Sequence, residues 1–196
     1  MFTLSEPSSD DVARFIKSQS NLSFTYAEAG ATRFDPAAAP RGFTLDHNRV
    51  QLGNGNEVYE RAVQALQQWR QFDLGWVKIV PPGVKLEKDA VVAVKARACG
   101  TWSLNACRVV YVIDEQGPLV RRAGFAYGTL PDHVERGEER FLIEMDPSDG
   151  RVWYDILAFS RPRHPLVRAS FPVARMLQKR FARDSMEVMR SIITPV

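Results

Sequence analysis

The sequence predicts an α+β protein in which a strongly bent antiparallel sheet wraps around a long C-terminal helix. Five successive segments between residues 90 and 160 alternate apolar and polar side chains with the period of a half-buried strand. Short links rich in turn-forming residues join them, which favours an antiparallel meander over parallel strands with helical crossovers. The chain then continues into a long segment with the apolar spacing of an amphipathic helix, over roughly residues 165–193.

A helix and two strands are predicted near the start of the chain. Ser8 with Asp11 three residues later is a helix-capping signal, so we expect a helix over residues 9–18. The other elements of this region are predicted as strands over residues 22–26 and 43–52, with a proline- and glycine-bounded loop over residues 35–42.

A second helix is predicted after Gly53-Asn-Gly55, with Asn56 as its N-cap and its end near residues 72–75. This glycine pair lacks the residues of a dinucleotide-binding or phosphate-binding loop, so we interpret it as a turn. The apolar stripe of the helix consists of Tyr59, Ala62, Val63, Leu66 and Trp69.

The meander and the terminal helix follow. The strands are predicted at residues 90–98, 104–114, 119–129, 138–146 and 151–160. The terminal helix should be irregular at Pro172. Its apolar face comprises Val173, Leu177, Phe181, Val188 and Ile192, and its basic face comprises Arg168, Arg175, Lys179, Arg183 and Arg190.

Composition predicts one soluble domain over residues 1–196, with an N-terminal extension at about 1–20 and a body over 22–193. The net charge of +3 is too small to indicate a nucleic-acid partner. Neither a signal peptide nor a membrane span is visible, so we expect a cytoplasmic protein. Cys99 and Cys107 could meet across a hairpin, but we expect both thiols to be free.

A polar loop before the fourth meander strand offers one imidazole and three carboxylates: His133, Glu135, Glu138 and Glu139. General acid–base chemistry or metal binding would need two or three of these groups to converge. Their spacing matches no known ligand pattern, so a solvated loop with salt bridges to Arg136 and Arg140 is favoured over a metal site. We therefore predict no metal and no cofactor.

Strand alternation places particular side chains on one face of the sheet. Glu139 should share a face with Phe141, Ile143 and Met145, which puts a carboxylate at the end of an apolar row. Trp153 and Tyr154 are neighbours in a strand, so one ring should face the interior and the other the opposite side.

The segment Phe159-Ser160-Arg161-Pro162 ends the last strand, just before the terminal helix. Arg161 could anchor an anion at the mouth of a cavity, or it could pair with Glu138 or Glu139 and fix the entry of the helix. Ser160 has neither an evident histidine base nor a Gly-x-Ser-x-Gly context, which argues against a serine nucleophile.

Four motifs resemble a family of bacterial and plant proteins that is defined as a domain of unknown function: Tyr127-Gly-Thr-Leu-Pro-x-His133, Gly137-Glu-Glu-x-Phe141, Ala158-Phe-Ser-Arg-Pro162 and Gln178-x-Arg-Phe-x-Arg-Asp-Ser185. The resemblance covers roughly residues 22–190 and implies no established reaction, so it lends no catalytic residue. The order of elements also resembles the START-like helix-grip fold, in which a bent sheet grips the last helix and leaves a cavity. Fold-level similarity does not fix function.

Three functions remain open. The leading hypothesis is a binding protein for a small apolar or amphipathic, lipid-like ligand in a cavity between sheet and terminal helix. Its walls would be Tyr127, Phe141, Trp153, Tyr154 and Phe159, and its polar end Glu138, Glu139, Ser160 and Arg161. The alternatives are a hydrolase- or cyclase-like enzyme with Glu139 or His133 as acid or base, and a binder of anionic membrane or nucleic acid through the basic helix face.

Overall fold

The computed structural model describes residues 1–33, 40–163 and 171–193. Their strands are β1 Phe2–Thr3, β2 Thr44–Asn54, β3 Val77–Val80, β4 Val91–Ala98, β5 Thr101–Gln116, β6 Arg121–Thr129, β7 Glu135–Met145 and β8 Arg151–Pro162. Their α-helices are α1 Ser9–Gln19, α2 Asn56–Gln67 and α3 Phe171–Ile193. The predicted loop at 35–42 and the first residues of the predicted terminal helix, 165–170, lie largely or wholly outside the described residues.

The strands form one sheet in the order β2-β8-β7-β6-β5-β4-β3, and β1 pairs with β5. All pairings are antiparallel, and β4 to β8 form the predicted meander. The first strand of the body, β2, joins the far edge of the meander beside β8. The predicted fold class is therefore confirmed.

Helices α2 and α3 pack on the concave face of the sheet and bury its aromatic residues. The ring of Phe181 on α3 lies 5.3 Å from that of Phe72 and 6.2 Å from that of Phe141, measured between centroids. Deeper along α3, the hydroxyls of Ser185 and Tyr154 lie 2.9 Å apart in a buried hydrogen bond. The long terminal helix is thus held inside the bend of the sheet, as the sequence predicts.

The convex face of the sheet is covered by the N-terminal part of the chain. Helix α1 begins with the predicted capping box, in which the Ser8 hydroxyl and the Asp11 side chain each accept from the other residue's backbone N–H. Val12 and Phe15 of α1 pack against a separate apolar cluster on β4 and β5, built from Ala93, Leu104 and Ala106 together with Leu130.

Several local predictions were wrong. Residues 22–24 are irregular and residues 25–26 form a bend instead of a strand, and the backbone N–H of Thr25 donates to the carbonyl of Thr129 at the end of β6. Gly55 is the N-cap of α2, and the amide oxygen of Asn56 accepts from Arg121 instead of capping the helix. Helix α2 ends at Gln67 and a 3₁₀ turn follows. The short strands β1 and β3 were not predicted.

Cys99 is exposed, Cys107 is buried, and both thiols are free. Within the described part of the chain, no helix combines the length and hydropathy needed to cross a membrane.

Candidate functional site

A cavity of about 1070 Å³ lies between the concave face of the sheet and the first half of α3, residues 171–182. Leu177 and Phe181 of α3 contribute to its roof, and Ile156 and Ala158 of β8 to its floor. Exposed residues at its rim, such as Phe2, show that it opens to solvent. The surface of the cavity is mainly apolar, and its polar side chains include a group near the start of β7, with Glu135 and Glu139.

Side-chain size explains why one end of this interior is hollow and the other is filled. At the filled end, fully buried aromatic rings pack together, including Phe72, Phe125 and Phe141. At the hollow end the sheet presents small residues to α3, namely Ala96, Ala98, Gly137 and Ala158. Small side chains on a face that elsewhere carries rings leave space that the protein itself does not occupy.

Glu139 carries the carboxylate of the cavity wall. Tyr127, its cross-strand neighbour on β6, donates its hydroxyl to Oε2 of Glu139 at 2.7 Å. Burial raises the pKa of Glu139 to about 7, against the lowering effect of the Tyr127 hydrogen bond, and the negative charges of Glu135 and Asp46 raise it further. Near neutral pH this carboxyl group can therefore both hold and release a proton.

Glu135 lies on the same face of β7, four residues before Glu139. The side-chain nitrogen of Gln178 on α3 lies 2.7 Å from both carboxylate oxygens of Glu135 and 3.0 Å from the hydroxyl of Ser160. Burial raises the pKa of Glu135, and hydrogen bonds from Gln178 and Ser160 oppose that shift.

An ion pair one turn earlier on α3 joins the same group. Both terminal nitrogens of Arg175 donate to Asp46 of β2 at 2.5 Å, and one of them also donates to the side-chain oxygen of Gln178 at 2.6 Å. We call Arg175 and Gln178 of α3, with Asp46 and Glu135 of the strands, the α3 strap. It ties the roof of the cavity to β2 and β7, and Asp46 balances the charge of Arg175.

His133 lies at the cavity but does not form the acid–base pair proposed for it. Its Nδ1 accepts from the backbone N–H of Glu135 at 3.0 Å, and burial lowers its pKa to about 4. The ring is therefore neutral at pH 7 with its proton on Nε2. Over the described ranges, no hydrogen bond joins His133 to Glu139, and no group of three His, Cys, Asp or Glu residues is arranged to hold a metal.

Glu138, one residue before Glu139, holds its carboxylate on the convex side. It accepts from the Tyr26 hydroxyl at 2.8 Å, from the backbone N–H groups of Gly30 and Thr32 at 2.7 and 3.0 Å, and from the Thr32 hydroxyl at 2.5 Å. We call this group the Glu138 clamp. It fastens residues 26–32 to the sheet. Glu138 is among the residues that line the cavity, but its carboxylate is bonded to this segment on the convex side.

Two glycines of the family motifs are required by this packing. A Cβ on Gly128 would lie 2.0 Å from the hydroxyl oxygen of Tyr26, where that ring reaches across β6 to Glu138. Gly137 has a φ of +148°, and a Cβ there would lie 1.9 Å from the carbonyl oxygen of Phe159. Neither position has room for a side chain.

Of the aromatic residues expected in the cavity wall, only Tyr127 presents its side chain to the polar end. Phe141 and Tyr154 face the concave side but belong to the filled aromatic core. Trp153 lies on the convex side, with the Arg49 guanidinium 4.7 Å from its ring centroid. Tyr154 and Trp153 thus face opposite sides of β8, as the alternation predicts.

The polar end also differs from expectation at the end of β8. Phe159 contributes to the cavity lining, but its ring packs edge-on against Tyr26 and Phe43 on the convex side. Arg161 follows the same alternation, and its guanidinium lies over the Phe43 ring at 4.5 Å from the centroid. It therefore pairs with neither Glu138 nor Glu139, whereas Ser160 faces the cavity and bonds Gln178.

The basic face of α3 is largely neutralised within the molecule. Arg175 pairs with Asp46, Arg183 pairs with Asp184 and Glu187, and Arg190 donates to the backbone oxygen of Gln51. Lys179 lies at the cavity rim. Arg168 is outside the described residues. These contacts weaken the case for a basic surface that binds membrane or nucleic acid.

Sequence reasoning did not assign the α3 strap. Glu135 was named among the candidate carboxylates but was placed in a loop; because β7 begins at Glu135, it shares the face of Glu139, four residues later. Asp46, Arg175 and Gln178 give no such signal, because their meeting depends on where α3 crosses β2 and β7.

Fold and site together define a helix-grip protein with a solvent-open cavity and an acidic polar end beneath the terminal helix. The chain belongs to the family described as "Domain of unknown function (DUF1990)", which matches residues 25–188. It is 34% identical over 96% of its length to a UPF0548 protein of Dictyostelium discoideum, of which the match covers 94%. It is also 37% identical over 76% of its length to a UPF0548 protein of Arabidopsis thaliana, 72% of which is covered. The predicted family resemblance is confirmed.

Some solved structures are similar to this chain at low sequence identity. The crystal structure of Ara h 8.0201 is similar with a TM-score of 0.47 and 11% identity, covering 78% of this chain and 98% of that one. The crystal structure of human STARD10 is similar with a TM-score of 0.42 and 13% identity, covering 93% and 81%.

Proposed function

We propose that the protein binds a small, largely apolar molecule in the cavity beneath α3, with the polar end of that molecule at Glu139. The observation that supports this is a solvent-open cavity of about 1070 Å³ whose surface is mainly apolar and whose wall carries the hydrogen-bonded pair Tyr127 and Glu139. Ligand sites of soluble proteins are typically concave and mostly apolar, with volumes of roughly 300–1,000 Å³ and a few polar groups that fix orientation. Tyr127, Glu139 and Ser160 would be the orienting groups.

Polar groups in this cavity are positioned before any ligand arrives. The side chain of Glu139 is held by Tyr127, and Ser160 is held by Gln178. A site whose orienting groups are already fixed loses little conformational entropy on binding, which favours affinity. The small residues of the floor, such as Ala158, leave room for an apolar body against the sheet.

A filling substitution tests this proposal. N-phenyl-1-naphthylamine, a neutral probe that fluoresces in apolar surroundings, should bind saturably with a stoichiometry of one. Ala158→Phe places a ring in the cavity and should weaken probe binding at least tenfold. Ala13→Phe, at an exposed position of α1, is the matched control and should leave binding unchanged. No saturable binding to the wild-type protein, or equal binding to both variants, would overturn the proposal.

A second candidate function is acid–base catalysis by Glu139 in the same cavity. The observation that favours it is the pKa of about 7, which lets the group exchange a proton under physiological conditions. His133 fits this role less well, because the lone pair of its Nδ1 is engaged by a backbone N–H and its lowered pKa, about 4, makes the ring a weak base.

Hydrolysis of 4-nitrophenyl butyrate tests the second candidate. If Glu139 is the base, the rate should rise with pH through about 7, and Glu139→Gln should abolish that limb. Glu144→Gln, on the same strand but facing the convex side, should retain it. A profile unaffected by Glu139→Gln would exclude this role for Glu139.

A further inference from the structure

We infer that the natural ligand of the cavity is an organic cation: a primary or secondary ammonium group carried on an apolar body. This inference rests on the proposed binding function and specifies the class of ligand. The geometry that points to it is the placement of two carboxylates, Glu135 and Glu139, on the cavity-facing side of β7, with the donors that contact them already in use.

The hydrogen-bond donors that contact Glu135 and Glu139 are already committed to protein acceptors. The Tyr127 hydroxyl is bonded to Glu139, and the Gln178 nitrogen is shared by Glu135 and Ser160. Arg175 donates to Asp46 and to the Gln178 oxygen. Among the described residues, Oε1 of Glu139 receives no hydrogen bond, so a ligand has an acceptor to meet there.

The charged groups closest to Glu139 are mainly negative. The ionisable groups that interact with Glu139 are Asp46 of β2, Cys107 of β5, Tyr127 of β6, Glu135 of β7 and Tyr154 of β8. The cavity lining also contains His47, His133, Glu138 and Lys179, and Arg175 of α3 acts on Glu135. The charge of Arg175 is balanced by Asp46, and Lys179 is exposed at the rim. Glu135 and Glu139 therefore have only neutral hydrogen-bond donors as direct partners.

Asn105, which contributes to the cavity lining, has a buried amide oxygen without a hydrogen-bond partner among the described residues. Asn105 of β5 is 6% exposed, and its amide nitrogen donates to the carbonyl of Val94 and to the Ser103 hydroxyl. A carbonyl oxygen only accepts, so the orientation of the amide is fixed and Oδ1 is the atom left over. Within the described residues Oδ1 has no partner, and a buried acceptor without a donor is unfavourable.

An anionic ligand fits this arrangement poorly. A carboxylate or phosphate at the polar end would meet Glu135 and Glu139 without a free cation, and like charges in an apolar surrounding repel strongly. An ammonium group instead brings up to three donors and a compensating charge, and charge-assisted hydrogen bonds are the stronger kind. Lys179 at the rim is the group that could hold an anion, and the experiment separates that outcome.

Three probes with one apolar body and different ends test the inference: 4-phenylbutylamine, 4-phenylbutan-1-ol and 4-phenylbutyrate. Their dissociation constants are measured by calorimetry at pH 8, where Glu139 is largely ionised and the amine is charged. The amine should bind at least about tenfold more tightly than the alcohol, and the carboxylate most weakly, since hydrogen bonds to charged groups are stronger than neutral ones. For the amine alone, affinity should rise from pH 6 to pH 8.

Matched variants assign the effect to the cavity. Glu139→Gln should remove most of the preference for amine over alcohol, and Glu144→Gln should keep it. Equal binding of all three probes, or tightest binding of the carboxylate, would refute the cation inference and leave cavity binding standing. Failure of all three probes, together with failure of N-phenyl-1-naphthylamine, would refute the proposed function itself.

Discussion

Glu138 and Glu139 are adjacent in β7, yet they have opposite surroundings. Glu138 faces the convex side, where four donors from residues 26–32 surround its carboxylate. Glu139 faces the concave side, where one tyrosine hydroxyl is its partner and a cavity lies beside it. The two carboxylates show that burial alone does not decide the role of a charged group; the number of donors around it does.

The donors come from different sources on the two faces. On the convex side a loop supplies backbone N–H groups, which are fixed in direction and hold the carboxylate permanently. On the concave side the nearest elements are helices, whose interior N–H groups are used within the helix. Glu139 is therefore left with unused capacity, which suits a group that contacts a ligand.

The largest difference should appear in stability when each glutamate is replaced by glutamine. In Glu138→Gln an amide nitrogen, itself a donor, replaces a carboxylate oxygen that accepts hydrogen bonds from the Glu138 clamp. We expect this variant to lower the free energy of unfolding by at least about 3 kcal/mol. Glu139→Gln at pH 5 replaces a protonated carboxyl by a neutral group of similar shape and should change stability little. Urea denaturation at pH 5 measures both. Equal losses from the two variants would contradict the comparison.

The next effect is the pH dependence that Glu139 gives to stability. Its pKa in the folded protein, about 7, lies above the ordinary value of 4.5, so the folded state holds an extra proton between these pH values. Stability should therefore fall as pH rises from about 4.5 to 7. Relative to that of the wild type, the free energy of unfolding of Glu139→Gln should therefore increase over this range by on the order of 2 kcal/mol. Denaturation midpoints measured at half-unit pH steps test this, and parallel curves for the two proteins would disprove it.

A smaller effect is expected from Tyr127→Phe, which removes the donor to Glu139. Loss of this hydrogen bond should raise the pKa of Glu139 further and reduce the free energy of unfolding by about 1 kcal/mol. The ¹³C shift of the Glu139 carboxyl carbon, followed against pH, reports the change directly. Tyr154→Phe, which removes the hydroxyl bonded to Ser185, is the control and should move that titration less.

The smallest effect is expected at Glu144, farther along β7 on the convex side. It pairs with Arg49 and Arg122 near the surface, at 2.6 and 2.7 Å. Glu144→Gln should lower the free energy of unfolding by about 0.5 kcal/mol, since exposed ion pairs contribute little. The loss should shrink further in 1 M salt, as screening predicts. A loss comparable to that of Glu138→Gln would show that position on the strand, and not the set of donors, controls the outcome.

Much of the fold could be predicted because local patterns determine it. The meander and the shared face of Glu139 and Phe141 follow from a period of two, and the start of α1 follows from its capping residues. The contact that the Arg161 side chain makes could not be predicted in the same way. Its alternation with Ser160 sends it to the convex side, but its contact with Phe43 depends on pairing with β2, which lies more than a hundred residues earlier.

The site was only partly predictable for a related reason. A strand pattern cannot distinguish a residue that lines a cavity from one that packs in a filled core, since both face inwards. Phe141 and Tyr154 fell in the filled part, and Glu139 in the hollow part. The α3 strap brings together residues as distant in sequence as Asp46 and Arg175, so it becomes visible only when the crossing of helix and sheet is known.

Gly137 fixes which of the two glutamates, Glu138 or Glu139, faces the concave side of the sheet. A slide of β7 by one position would exchange the surroundings of Glu138 and Glu139, placing one carboxylate against the wrong neighbours on each side. Such a slide would bring Arg136 or Glu138 to the one point of the strand where only a hydrogen atom fits. Gly137 thus fixes the register of β7 in the sheet. The placement of Glu139 in the cavity depends on this glycine, although glycine supplies no functional group.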